Sequence, residues 1–388
     1  MPKTFSEKIL TLKSEGKEVI SGEIVTVSPD IIMSHDNTAY ISDRFKNIGV
    51  KKIYAPDRVV IILDHCAPAA TEQYAMNHKI IREFIREQNI NHFFDINCGI
   101  CHQVLPENGF AIPGYLIVGS DSHTSTYGAF GTFATGIGRT ETAVLFATGE
   151  IWLRVPETTK IRISGKFQNK VSTKDLALFI IGDIGADGAL YKAVEFSGKA
   201  ISEMSIDSRM VLCNMAAEMG AKNAYIEVDD KTLQWLAEHG APPGDIIKSD
   251  EDANFEAILD YSVDNLVPQL ACPHTVDNVK PVSELEGMMI NQAIIGSCTN
   301  GRLEDLEAAV EILHGKQIAR NVRLLIFPAS MKIYLEALKR GIIQSLVESG
   351  AVIMNSNCGP CLGAHEGVLA PGEVCISTTN RNFKGRMG

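Results

Sequence analysis

No apolar run in the chain approaches the roughly 18–20 residues of a membrane-spanning helix. The densest short ones, such as Val59–Leu63, are of strand length. The N-terminus, MPKTFSEKILTLKSEGKEV, is charged and lacks a signal peptide's apolar stretch, so the expected compartment is the cytoplasm. Positive charge is scarce: Lys plus Arg number 36 against 47 Asp plus Glu, a formal net charge of −11. Such a surface disfavours nonspecific binding to nucleic acid or anionic membrane. There is no internal repeat and no low-complexity tract. G-x-x-x-x-G-K-[ST], H-E-x-x-H and G-x-S-x-G are all missing, and Gly136-Ile137-Gly138 lacks the third glycine of the dinucleotide fingerprint. These absences argue against a phosphate-loop nucleotidase, a zinc protease, an α/β-hydrolase and a dinucleotide oxidoreductase.

What is present is a chain of 388 residues, 45% hydrophobic and 21% charged, long enough for two or three domains. Its nine cysteines are 66, 98, 101, 213, 272, 298, 358, 361 and 375. The count is odd and no export signal is visible, which argues against a disulfide framework. Predicted strands alternate with predicted helices: strands at Val59–Leu63, His92–Ile96, Tyr115–Val118, Lys160–Ser164, Ala224–Val228, Ile290–Ile295, Val322–Phe327 and Val352–Met354. Helices are expected at Glu72–Glu87, Thr140–Gly149, Thr173–Ile181, Ser205–Met219, Leu303–Leu313 and Lys332–Lys339, with a glycine-rich segment over Tyr127–Gly138. The alternation indicates α/β architecture. Pro156–Lys160 reads as a first linker and Pro268–Pro281 as a second boundary. The expected domains are therefore 1–157, 158–270 and 271–388.

Polar clusters recur just past the C-termini of these strands, where open α/β sheets place their ligand sites. Cys298 follows one strand, and Cys358 and Cys361 follow another. Gly296, Gly359 and Gly363 are expected to let backbone approach a bulky centre there. Thiolates select Zn, Cu(I) or iron–sulfur centres, and three of them leave a four-site centre with one open position. Buried structural thiols are the competing reading of the same three residues. Cys98-Gly99-Ile100-Cys101-His102 matches the haem-attachment pattern C-x-x-C-H, but that attachment belongs to exported proteins. Either a second metal site or thiols packed beside a functional His102 remains. Asp64-His65, His102 and Asp121-Ser122-His123 form a set of acid–imidazole groups on one sheet edge, suited to holding protons near neutral pH. Arg381 and Arg386 could clamp carboxylates.

Taken together, Gly119–Thr124 (GSDSHT), Gly296–Asn300 (GSCTN), Cys358–Gly363 (CGPCLG) and Asn380–Arg386 (NRNFKGR) resemble the aconitase superfamily. With Gly99–Gln103 (GICHQ) and Cys213–Glu218 (CNMAAE), the likeness is to its isopropylmalate-dehydratase large-subunit branch, and it covers nearly the whole chain. The resemblance implies a fold of three α/β domains around a cluster cleft, without the fourth, swivelling domain. It implies one [4Fe–4S] cluster on Cys298, Cys358 and Cys361, with one iron free of protein ligands. It assigns Asp64 and His65 to protonating a departing hydroxyl, and pairs His102 with Asp121 and His123 with Glu218. Asn214 and Asn380 would lie beside the cluster, and Ser122, Arg381, Arg386 and His35 would contact substrate.

The implied reaction is the isomerisation of 2- and 3-isopropylmalate by dehydration and rehydration, a step of leucine biosynthesis. Homoaconitate and 2,3-dimethylmalate are the alternative substrates. The family's proton-abstracting serine lies in the swivelling domain, which this branch carries on a separate small subunit. The chain is therefore expected to be incomplete as a catalyst alone and to need that partner. Relatives continue past the motif at Asn380–Arg386 with a further strand and helix, so a chain ending at Gly388 is expected to be shortened. An RNA-binding regulator, as some relatives become on losing the cluster, is disfavoured by the −11 charge. An electron carrier is disfavoured by three rather than four cysteine ligands.

Overall fold

The computed structural model describes every residue from Met1 to Gly388. Its frame is three parallel sheets with helices between their strands. The first runs, in spatial order, His92–Phe94, Val59–Ile62, Ile31–Ser34, Leu116–Gly119, Phe133–Gly136. The second runs Asn223–Ile226, Ala193–Ser197, Thr158–Ser164, Ala257–Ser262. The third runs Val352–Ile353, Arg323–Phe327, Gln292–Gly296, Cys375–Ser377. All three share one winding: the earliest strand is internal, the next two build out on one side, and the chain then crosses to the other. Each sheet thus has a point where strand order reverses, and crevices for ligands open beside such points.

The central strands of the first sheet are apolar without alternation because both faces are covered. Val60 and Ile62 point into a core shared with Ile161, Ile163 and Val194 of the second sheet. Val59 and Ile61 point into the opposite core, with Phe84 and Phe146. The third sheet has a smaller core of its own around Leu306, Leu324, Ile326 and Leu346. No helix is long and apolar enough to cross a membrane.

Several local expectations shift. Strand Ile31–Ser34 and helix Thr38–Ile48 occupy a stretch that carried no clear periodic signal. The glycine-rich segment, given no element from its sequence, is entered by a 3-10 helix, Ser122–Phe130, and holds strand Phe133–Gly136. Pro156–Lys160 overlaps a strand, Thr158–Ser164, because Thr158 and Thr159 are β-branched and pair at once. Pro268–Pro281 holds an antiparallel pair, Gln269–Ala271 with Val279–Pro281, rather than an open linker.

Candidate active site

Strand Val59–Ile62 delivers Asp64 and His65 to the C-terminal edge of the first sheet. Asp64 Oδ1 lies 2.7 Å from His65 Nδ1, and Asp64 Oδ2 accepts the Cys101 backbone N–H at 2.7 Å. The neighbouring central strand supplies Asp36, which fixes this loop from below. Asp36 Oδ2 accepts the N–H groups of Asp64 (2.9 Å) and His65 (2.8 Å), and Oδ1 those of Cys66 (3.2 Å) and His78 Nε2 (2.9 Å). His35 stacks on His65, with ring centroids 3.8 Å apart and planes at 20°. Burial and the facing His65 push the His35 imidazole down to about 4.

Asp121 caps the 3-10 helix Ser122–Phe130, accepting the His123 N–H at 2.9 Å. Its carboxylate is the hub of three imidazoles: His102 Nε2 at 2.7 Å, His65 Nε2 at 3.4 Å and His123 Nδ1 at 3.4 Å. Burial alone would raise the Asp121 pKa, but these imidazoles hold it well below the usual range. Burial outweighs Asp121 at His102, whose pKa falls. An ionised Asp121 accepts a proton-bearing Nε2, so a neutral His102 keeps a lone pair on Nδ1, which has no partner in the protein. At His65 and His123 the balance is opposite. Burial disfavours the charge, but Cys358, Asp64 and Asp121 raise His65, and Asp121 and Glu218 raise His123.

The second sheet contributes through helix Ile206–Met215 and the following turn, not through a strand end. Glu218 Oε1 lies 2.7 Å from His123 Nε2 and accepts Arg381 Nε at 2.8 Å. Arg381 Nη2 also donates to Ser122 Oγ at 2.7 Å. Arg381, Glu218, His123 and Ser122 are therefore one hydrogen-bonded group drawn from all three sheets. Arg386 stands apart: its guanidinium bonds none of these residues, and its Nε is buried without a partner.

Cys298 follows strand Gln292–Gly296 through a sharp turn, with φ 138° at Gly296 and 70° at Ser297. Asn214 Nδ2 lies 3.3 Å and Asn380 Nδ2 3.5 Å from Cys298 Sγ, and the Cys361 thiol donates to Asn380 Oδ1 at 3.1 Å. Cys358 bonds back to the first sheet, its N–H donating to the Asp64 carbonyl at 3.1 Å. Burial pushes the Cys298 thiol up to about 11 and raises that of Cys358 as well. Ionised sulfur at these positions needs a bound cation to offset burial. The soft donor set, one short of four, with amides aimed at sulfur, fits an iron–sulfur centre with an open position. Two of the glycines around it are also required by the protein itself. A Cβ at Gly296 would meet the Phe327 carbonyl at 2.1 Å, and one at Gly363 the Arg386 carbonyl at 2.2 Å. They make room for neighbouring protein.

Sequence reading missed Asp36, His78 and two cationic anchors. Arg302 is 0% exposed and donates to the carbonyls of Cys298 (2.9 Å) and Thr299 (2.8 Å) and to Gln103 Oε1 (2.8 Å). Lys174 reaches from helix Thr173–Ile184 to the loop that carries Asn380. The partners of Asp36 lie 28 to 42 residues away, and Arg302, though it grips the nearby Cys298 and Thr299 carbonyls, meets Gln103 only across the fold, so no local pattern marks either. A lysine in a helix's first turn, against the dipole, is a signal that could have marked Lys174.

Residues 7–388 match the family described as the aconitase family (aconitate hydratase). The chain is 50% identical over 389 residues to 3-isopropylmalate dehydratase large subunit 1 of Methanopyrus kandleri, covering all of this chain and 93% of that one. It is 49% identical to the protein of the same name from Pyrococcus furiosus, over 99% of this chain and 92% of the other. The probable methanogen homoaconitase large subunit of Methanosarcina mazei is 52% identical over 360 residues, 92% of each chain.

Proposed function

The chain belongs to the aconitase family, and on that premise we propose that it is the large subunit of a hydro-lyase interconverting 2- and 3-isopropylmalate. The observation that carries this reading is the join between two chemistries. A three-thiol set closes, through Cys358 N–H on the Asp64 carbonyl, onto a carboxylate hub holding three imidazoles. Electron transfer alone has no use for such a proton-handling wall.

Cys298, Cys358 and Cys361 would hold a [4Fe–4S] cluster, which supplies a Lewis-acidic iron that makes hydroxide a better leaving group. Arg381, already charged and oriented by Glu218, would bind a substrate carboxylate bidentately, with Ser122 beside it. Dehydration breaks one C–H and one C–O bond. The proton on carbon would go to the base that the family carries on its swivelling domain, which a small subunit would bring to the site. His65, held protonated by Asp64 and Asp121, gives its proton to the departing hydroxyl, which leaves as water. His102–Asp121 and His123–Glu218 fix the other protons of the pocket, and His35, neutral, covers the His65 ring. Rehydration runs these steps backwards with the hydroxyl on the adjacent carbon. Asn214 and Asn380 hold the Cys298 sulfur in place.

The test is anaerobic reconstitution of the chain, addition of the small subunit and an assay with 3-isopropylmalate. Turnover of homoaconitate alone would favour the second reading, which the 52% identity to the Methanosarcina mazei protein supports. Turnover by the chain without a small subunit would overturn the partner assignment.

A further inference from the structure

Asn380 and Arg381 sit on a weakly supported arm. The strand before them, Cys375–Ser377, has three residues and pairs with one neighbour, Gln292–Gly296. Beyond it, Thr378 stays tied to that neighbour, its N–H donating to the Ile294 carbonyl and its Oγ1 accepting the Gly296 N–H, both at 3.0 Å. From there the arm leaves the third sheet. Two fasteners from the middle of the chain then bracket the pair. On the near side, Lys174 Nζ donates to the carbonyls of Thr378 (3.0 Å) and Thr379 (2.8 Å). On the far side, Asn382 Nδ2 donates to the carbonyls of Ala271 (3.2 Å), Cys272 (2.8 Å) and Thr275 (3.1 Å).

Lys174 is an odd choice for its own helix. It lies in the first turn of Thr173–Ile184, where the helix dipole disfavours a cation. Burial lowers its ammonium to about 8, against the pull of Cys361, Cys298 and Glu218. Dipole and burial both oppose a charged lysine here, and the contacts it makes in return are the two carbonyls it grips. Two carbonyls one residue apart fix both the position and the rotation of the peptide that leads into Asn380.

We propose that Lys174 is a positioning residue for substrate recognition: by gripping the Thr378 and Thr379 carbonyls it sets the pose in which Arg381 meets Glu218, Ser122 and a substrate carboxylate. The inference rests on reading Arg381 as a carboxylate-binding residue, as above. A residue acting on the grip rather than on the chemistry moves KM more than kcat.

The experiment compares wild type, Lys174→Met and Lys174→Arg as cluster-loaded large subunits with the small subunit, using 3-isopropylmalate. Hydrogen exchange of residues 378–382 is followed in the same proteins without substrate. Lys174→Met is expected to raise KM about tenfold with kcat within about threefold, to keep the wild-type iron content, and to speed exchange across the arm. Lys174→Arg, which can still donate to both carbonyls, is expected to restore most of the KM and the exchange protection. Unchanged KM and exchange in Lys174→Met would overturn the proposal, as would equal losses of KM, kcat and melting temperature in both variants. An inactive wild-type complex would refute the functional reading instead, and the substrate-free exchange comparison would still decide whether Lys174 holds the arm.

Discussion

Replacing Asp36 by Asn tests whether one buried carboxylate organises the Asp64–His65 loop. Asp36 accepts from four donors, two on each oxygen, and is 8% exposed. An amide keeps one oxygen and puts an NH2 in place of the other. Turned one way, the amide sets a donor against the Asp64 and His65 N–H groups; turned the other, against the Cys66 N–H, with His78 relieved only by changing tautomer. A buried donor left without an acceptor costs about 1–3 kcal/mol, so the change should cost about 1–6 kcal/mol. That is a large share of a stability of about 5–15 kcal/mol. At about 2–4 °C per kcal/mol for units of 150–250 residues, melting should fall by at least about 2 °C. Circular dichroism of the isolated chain at neutral pH suffices, with neither cluster nor partner present. His78→Leu removes one donor of the four and should cost clearly less. The Asp36 pKa lies below the usual carboxylate value because His78 and neighbouring imidazoles outweigh burial. Its contribution is therefore present above about pH 4, the unfolded value, and fades only in stronger acid, so the gap between wild type and Asp36→Asn should persist down to that range. Melting of Asp36→Asn within about 1 °C of wild type would refute the assignment of Asp36 as the loop's anchor.

Three further outcomes are expected. Asp121→Asn in the loaded two-subunit enzyme should lower kcat about a hundredfold or more while the chain stays folded, since three imidazoles lose their common charge; kcat within threefold of wild type would remove Asp121 from the site. His35 has a folded value of about 4 against 6.5 when free, so the unfolded chain binds the extra proton between them and this group's contribution to stability falls as pH drops from 6.5 to about 4. His35→Phe, which keeps the stacked ring, should flatten that acid limb in denaturant titrations; parallel limbs would show that His35 is not held neutral. Cys298→Ser should fail to reach the iron content that reconstituted wild type attains, and an equal content would sink its assignment as a ligand.

The parts of this molecule legible from its sequence are those whose signal is local. Val59–Ile62, Gln292–Gly296 and Leu303–Leu313 stand out as uniform apolar or helically spaced runs, and the polar residues at the strand ends follow from them. Ile31–Ser34 did not stand out, being four residues long between Asp30 and a polar turn. Ser122–Phe130 is polar along much of its length yet buried from His123 onward, because its hydroxyls find backbone carbonyls, Thr124 and Thr126 in its own turns, Ser125 on Cys213 and Tyr127 on Cys101. Hydropathy cannot register that. The acid–imidazole contacts could be suspected from Asp64-His65 and Asp121-Ser122-His123, but the hub arrangement could not. It depends on His102 arriving from a helix and His65 from a neighbouring strand end, and the Glu218 that holds His123 comes from beyond another helix. Asp36 and Lys174 act through partners that only the tertiary fold brings near, as Arg302 does through Gln103, and the room made by Gly296 and Gly363 belongs to Phe327 and Arg386 for the same reason.

The central claim, an iron-dependent dehydration completed by a second subunit, meets its most direct trial in one measurement. The anaerobically reconstituted chain is given 3-isopropylmalate, and the absorbance of the dehydrated alkene is followed before and after the small subunit is added. The expected record is flat until the small subunit arrives and rises afterwards, with no rise when Cys298→Ser replaces wild type. An alkene signal from the chain alone, or none from the complete loaded pair, would contradict it.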